Sequence, residues 1–93
     1  MDTQVKLYEQ IDVWRRLDRG GLKCYKCFRV LSTGKYHVQS ADYISRASTA
    51  SQLRYLEKNF VELLEEIAPD KRNPGYATLL EAIAAHDAEF GKQ

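Results

Sequence analysis

The sequence predicts an α+β fold: a short antiparallel β-meander of two or three strands packed on two C-terminal α-helices. Three observations carry this expectation. Residues 22–44 hold two segments rich in Tyr, Val, Phe and Cys, separated by Ser32-Thr33-Gly34. Apolar residues recur at steps of three and four over 51–67, and again over 77–90. The length of 93 residues leaves room for one core and not for two. The expected organisation is therefore a single domain, 1–93, with a sheet-forming half at about 8–44 and helices at about 51–67 and 77–90.

The first helix follows the polar linker 45–50. Leu53, Leu56, Phe60, Leu63, Leu64 and Ile67 form one stripe, and Glu57, Lys58, Glu62, Glu65 and Glu66 occupy the other side. Thr49 and Gln52 have the spacing of a capping box, with Ser48 and Ser51 as competing caps. Pro69 cannot continue the helix, because its ring lacks the N–H and clashes with the preceding turn. Residues 69–75 read as a loop from their Pro, Asp, Asn and Gly content. In the second helix Thr78 and Glu81 repeat the capping spacing. Leu79, Leu80, Ile83, His86, Asp87 and Phe90 line one side, and Gly91 is a C-terminal stop.

The segments Leu22–Leu31 and Lys35–Ile44 read as a hairpin, with Gly34 supplying the positive φ of a three-residue loop. Pairing Leu31 with Lys35 sets Val30 against Tyr36 and Phe28 against Val38. Cys24, Lys26, Phe28, Val30, Tyr36 and Val38 then share the face turned to the helices. Tyr25, Cys27, Arg29, Leu31, Lys35, His37, Gln39 and Tyr43 share the open face. Residues 5–17 admit two readings. Leu7, Ile11 and Trp14 suit a helix ended by Gly20-Gly21. Alternatively Ile11–Leu17 is a strand that turns through Asp18-Arg19-Gly20-Gly21 into the strand at Leu22. The meander is preferred because a lone hairpin is marginally stable.

Composition narrows the function classes. The chain is 44% hydrophobic and 29% charged, the balance of an ordinary soluble domain. The N-terminal MDTQVKLYEQ lacks the apolar core of a signal peptide, and no apolar run is long enough to span a membrane. Two cysteines are too few for a disulfide-stapled secreted scaffold, so a cytoplasmic setting is expected, in a bacterium or a phage. Residues 1–50 hold nine Lys or Arg against five Asp or Glu, and residues 51–93 hold five against eight. The halves differ in sign. The pI of 7.8 nevertheless falls short of the strongly basic balance usual in nucleic-acid-binding domains.

Four constellations could carry chemistry. Cys24-Tyr25-Lys26-Cys27 is a CxxC, but within a strand its two side chains point to opposite faces, with Cα atoms roughly 10 Å apart. That is too far for a disulfide or a shared metal. His86-Asp87 could serve as an acid–base pair. Neighbouring helix residues, however, point about 100° apart, and no nucleophile stands nearby in the pattern. Glu65 and Glu66 read as part of a solvated acidic face, the second choice for a partner surface. The basic residues of the first half, interleaved with Trp14 and several tyrosines, could stack on bases and bind phosphates. The same Arg and Tyr content is what protein interfaces favour.

The sequence thus predicts a small non-catalytic protein that binds another macromolecule, most readily a protein, as a regulator, adaptor or inhibitor. Nucleic-acid binding through the basic, tyrosine-bearing sheet face is the alternative. No cofactor, metal or membrane contact is expected, and homodimer formation is compatible with the pattern. The contact surface is expected on the open sheet face at Arg15, Arg16, Tyr25, Arg29, His37 and Tyr43. Alanine at Arg29 and Tyr25 is expected to weaken partner binding without unfolding the domain.

Overall fold

The computed structural model describes residues 6–91. Val5, where the ambiguous N-terminal segment begins, and the rest of the stretch at 1–5 lie outside the described residues. Three strands, β1 (Tyr8–Arg16), β2 (Leu22–Val30) and β3 (Tyr36–Ile44), form one antiparallel sheet in the order β1-β2-β3. Helices α1 (Ala50–Glu66), α2 (Pro69–Arg72) and α3 (Leu79–Phe90) follow. The α+β class and the meander are as the sequence predicts, and the strand reading of the N-terminal segment is the one adopted. The turn into β2 is closed by Leu17 N–H donating to the Gly21 carbonyl at 3.1 Å. Gly20 and Gly21 there adopt φ of 95° and 88°, which only glycine takes up freely.

The helices do not share one face of the sheet, as the sequence reading had it. They cover opposite faces. Residues of β2 alternate, so Tyr25 and Cys27 point one way and Cys24 and Phe28 the other. Tyr25, Cys27 and Val38 form a buried cluster with Ala82 and Ile83 of α3. Phe28 instead stacks on Phe60 of α1, with ring centroids 5.4 Å apart. β2 is consequently covered on both sides, and Lys23, Cys24, Tyr25, Cys27, Phe28 and Val30 are all buried.

The hairpin register explains why the expected faces were partly exchanged. Val30 N–H donates to the Lys35 carbonyl at 3.0 Å, which closes a four-residue loop rather than a three-residue one. Arg29 then pairs with Tyr36 and Phe28 with His37, one step from the expected alignment. A β-bulge opposite Lys26/Cys27 restores that alignment, so Lys26 pairs with Ser40, Tyr25 with Ala41 and Lys23 with Tyr43. A one-residue slip exchanges faces. Tyr36 and Val38 therefore join Tyr25 on the α3 side, and His37 lies beside Phe28. Gln39, at the bulge, donates its side-chain Nε2–H to the Phe60 carbonyl at 3.2 Å.

Local chemistry sets the helix ends. Gln52 N–H donates to Thr49 Oγ1 at 3.1 Å, and Thr49 N–H donates to Gln52 Oε1 at 2.8 Å, so the capping box is complete. Thr78 caps α3 by accepting from Glu81 N–H at 3.1 Å. The segment expected to be a plain loop contains the single turn α2, which Pro69 opens at the first helical position, where its missing N–H costs nothing. On α3, Ala82, Ile83 and Asp87 are buried, whereas Leu80 and Phe90, expected on the packed side, are exposed.

The segment between α2 and α3 protects the outer edge of β3. Tyr36 and Tyr76 exchange backbone hydrogen bonds of 2.8 and 2.9 Å. Nδ1 of the buried His37 lies 2.8 Å from Asn73 Oδ1, which also accepts from Gly75 N–H at 3.2 Å. Gly75 has φ 84°, and a Cβ there would come within 2.7 Å of His37 Cε1. Only glycine lets the chain pass so close to the ring.

Phe60 is the one buried residue of α1. Replacing it with alanine should cost about 3 kcal/mol and free the helix from the sheet. Denaturant titration followed by circular dichroism checks this, since α1 should then melt ahead of the sheet.

Candidate protein-docking groove

The six sequence-predicted site residues do not form one open surface. Tyr25 is 1% exposed and His37 3%, so neither offers area to a partner. Arg29 lies at the far end of β2, where its Nε–H donates to Glu9 Oε1 at 2.8 Å. Arg16 ends β1 on the α1 side and is exposed. Arg15, Tyr25 and Tyr43 do converge, on the α3 side, because β1, β2 and β3 set Arg15, Lys23 and Tyr43 abreast. With Tyr25 in the core, its replacement by alanine removes packing and cannot serve as a surface test.

The group that gathers them is Asp87, which the sequence reading weighed only as a partner for His86. Its carboxylate accepts from Tyr25 Oη–H at 2.9 Å and from Arg15 Nη2–H at 3.1 Å, and Lys23 Nζ lies 3.5 Å away. Lys23 also sits 5.0 Å from the Tyr25 ring centroid and 5.4 Å from that of Tyr43. Burial alone would raise the Asp87 pKa. The Tyr25 hydrogen bond and the charges of Lys23 and Arg15 outweigh it, holding the carboxyl below the usual range. Burial likewise opposes the Lys23 ammonium, but its contacts with Tyr43 and Tyr25 prevail and keep it protonated. His86 packs edge-on against Tyr25, and burial together with the Lys23 charge lowers its pKa, so it is neutral at pH 7. His86 and Asp87 therefore play separate parts. Asp87 is fully engaged by donors, as a structural pin between α3 and the sheet.

The cysteines are equally committed. Cys24 and Cys27 are free, buried and on opposite faces. Burial pushes the Cys27 thiol up to about 12 and raises Cys24 as well, so neither is a thiolate at neutral pH.

An accessible concave surface lies on the other side of the sheet. α1 crosses over β2 and β3 and leaves the same face of β1 uncovered. Gln10, Asp12, Trp14 and Arg16 are all exposed there. Between helix and strand runs a groove of about 360 Å³. Trp14 and Ile44 line the sheet wall, and Leu53, Leu56, Phe60 and Val61 the helix wall. Trp14 is 52% exposed, Val61 54% and Leu53 41%. Leu53 and Leu56 of the stripe that predicts α1, with Val61 flanking it, thus extend beyond the sheet the helix packs on, and two exposed walls face each other.

The polar groups of the groove are mostly acidic: Asp12, Asp42 and Glu57, with Lys26 the one cation. Lys26 is already used, since its Nζ–H donates to Asp12 Oδ2 at 3.3 Å and lies 5.7 Å from the Phe60 ring centroid. Asp42 is half-buried with no salt bridge among the described residues. Burial raises its pKa, which Lys26 only partly offsets. An under-compensated carboxylate on an apolar wall is a place for a partner's cation.

Replacing Asp87 with asparagine leaves Lys23 buried without its counter-charge and should cost about 3 kcal/mol at pH 7. Because the native Asp87 pKa is depressed, its contribution is present above the unfolded value near 4 and is lost as pH falls through the folded one. Urea titrations of both forms should differ at pH 7 and converge in acid.

Comparisons of the chain with protein-family models, with curated proteins and with solved structures return no match.

Proposed function

We propose that this is a small non-catalytic protein that works by binding another protein, as a regulator, adaptor or inhibitor, in the cytoplasm. The groove between α1 and β1 is the docking site. Its occupant is an apolar segment carrying a Lys or Arg that reaches Asp42. The observation behind this reading is the pair of exposed apolar walls, Trp14 opposite Leu53 and Val61, around the Asp42 carboxylate, which has no salt bridge among the described residues. A buried aromatic anchor with a charge partner is the composition of interface hot spots. No helix among the described residues is long and apolar enough to cross a membrane.

The nucleic-acid alternative draws less support from the geometry. Tyr25, the stacking platform it needs, is buried, and Arg15 and Arg29 are held by Asp87 and Glu9.

Affinity capture from the source cells, with and without nuclease, tests the proposal when wild type is compared with Trp14→Ala and Val61→Ala. The expected partner is a protein that survives nuclease and is retained at least tenfold less by either variant. Both substitutions are at the surface, so stability should move by no more than about 0.5 kcal/mol. A partner released by nuclease, or one held equally by the variants, rejects the groove.

Asp42→Asn should separate binding from stability. The raised native pKa means that ionising Asp42 works against the fold, a penalty that grows as pH rises through the folded value. The variant should melt higher than wild type at pH 7 and equally in acid, while binding the partner more weakly. Thermal melts at both pH values and a titration with the captured partner measure the two effects.

A further inference from the structure

The outer edge of β1 carries a pattern that suits a second copy of the same strand. β1 is an edge strand of nine residues, and no described residue pairs with its outer side. It pairs with β2 without a register shift, so it is regular along its whole length. Natural edges are commonly blunted by proline, a bulge or charged side chains, above all lysine; between Tyr8 and Arg16 there is no proline, lysine or bulge, and the charges present are Glu9, Asp12, Arg15 and Arg16.

The hydrogen-bond polarity of this edge is fixed. Leu31 N–H donates to the Leu7 carbonyl at 3.0 Å, and Leu17 N–H to the Gly21 carbonyl at 3.1 Å. Antiparallel ladders alternate, so the odd-numbered residues from 7 to 17 turn their backbone groups toward β2. Tyr8, Gln10, Asp12, Trp14 and Arg16 turn theirs outward. A two-fold axis that joins two such edges into one sheet stands perpendicular to it and pairs one residue with its own copy. Centred on Asp12, the axis sets outward groups against outward groups all along the strand.

We infer that β1 is a self-association edge, which joins two copies of the chain antiparallel about Asp12 into a six-stranded sheet. The side chains agree with this register. Glu9 falls opposite Arg15 of the second copy, each with a partner already in its own chain (Arg29 and Asp87), so that pair extends existing ion pairs and does not neutralise free charges; Ile11 falls opposite Val13, and Gln10 opposite Trp14. The acidic first half of the strand meets the basic second half in both directions. The two Asp12 carboxylates meet at the axis, a like-charge contact that works against the pairing and that each carboxylate's own Lys26, at 3.3 Å, offsets. The axis preserves faces, so both α1 helices lie on one side of the joined sheet and the two grooves open toward each other across β1. The inference stands on the edge alone and does not depend on what occupies the groove.

Sedimentation of the full chain over a range of concentrations tests it first. Wild type should shift from monomer to dimer mass as concentration rises. Gln10→Pro removes one outward N–H and no inner one, so it should weaken self-association at least tenfold while circular dichroism stays native. Asp12→Cys should form an intermolecular disulfide on mild oxidation, because its Cα atoms would lie about 5.5 Å apart across the axis. Gln10→Cys, displaced from its own copy, should not. The native thiols are buried and do not compete. A wild type that remains monomeric at every concentration overturns the inference. So does a dimer in which Gln10→Cys crosslinks as readily as Asp12→Cys.

Discussion

Strand β2 supplies the packing surface for both helical layers, and the rest of the architecture is arranged around that demand. A strand between two neighbours has its backbone groups satisfied on both sides, so its side chains can be buried above and below. In this chain one face of β2 presents Tyr25 and Cys27 to α3, and the other presents Phe28 to α1. The cost is that Lys23 lies on the same strand and is buried with it. Asp87 removes that cost by bringing a carboxylate from α3 to the ammonium, while Arg15 and Tyr25 complete its shell. Removing one partner would leave a buried charge, so the ion cluster fixes α3 in rotation and in height as well as in place.

The two layers are unequal, and the inequality generates the candidate site. α3 brings Ala82, Ile83 and Asp87 into the core, and the segment before it is hydrogen-bonded to β3 at Tyr36. α1 brings Phe60 alone. Its stripe is as long as a fully packed helix would need, yet the face it crosses ends at β1, which α1 leaves bare. Apolar residues selected by helical periodicity are thereby left facing Trp14 across a gap. An amphipathic stripe longer than the surface it covers is a physical reason to expect another surface there.

Much of this fold was legible in the sequence, and the failures have specific causes. The capping box at Thr49, the N-cap at Thr78, the Gly20-Gly21 turn and the Pro69 stop are local signals, decided by residues close together in the chain, and all four are present in the structure. The exchange of faces was not local. It follows from one extra residue in the loop before Lys35 and one bulge at Gln39, whose effects cancel toward Tyr25 and Ala41. Alternation patterns tolerate such paired slips, so Tyr43 was placed beside Tyr25 correctly while His37 and Val38 were interchanged. Asp87 was hidden for a different reason. Its importance comes from Lys23, more than sixty positions away, and a lysine in a strand ordinarily reads as solvent-facing. The one signal available was that Lys23 and Tyr25 alternate with apolar residues on a strand too apolar to face water.

This small domain has surface that its own folding does not use. Five ion pairs among the described residues engage part of its charge: Arg29 with Glu9, Lys26 with Asp12, Lys6 with Asp70, and both Arg15 and Lys23 with Asp87. The exposed pairs among them add little stability, but together with the buried Lys23–Asp87 pair they engage five of the nine cations of the first half. One group of features without a partner among the described residues lies on and beside β1: its outward backbone groups, Trp14, Arg16 and the facing carboxylate of Asp42. A strand that contributes half-buried Ile11 and Val13 to the α3 side needs no further cover for the fold to hold. Its other face and its edge are therefore free to be shaped by association rather than by folding. For that reason substitutions at Trp14 and Gln10 should separate binding from stability, whereas those at Tyr25 or Asp87 cannot.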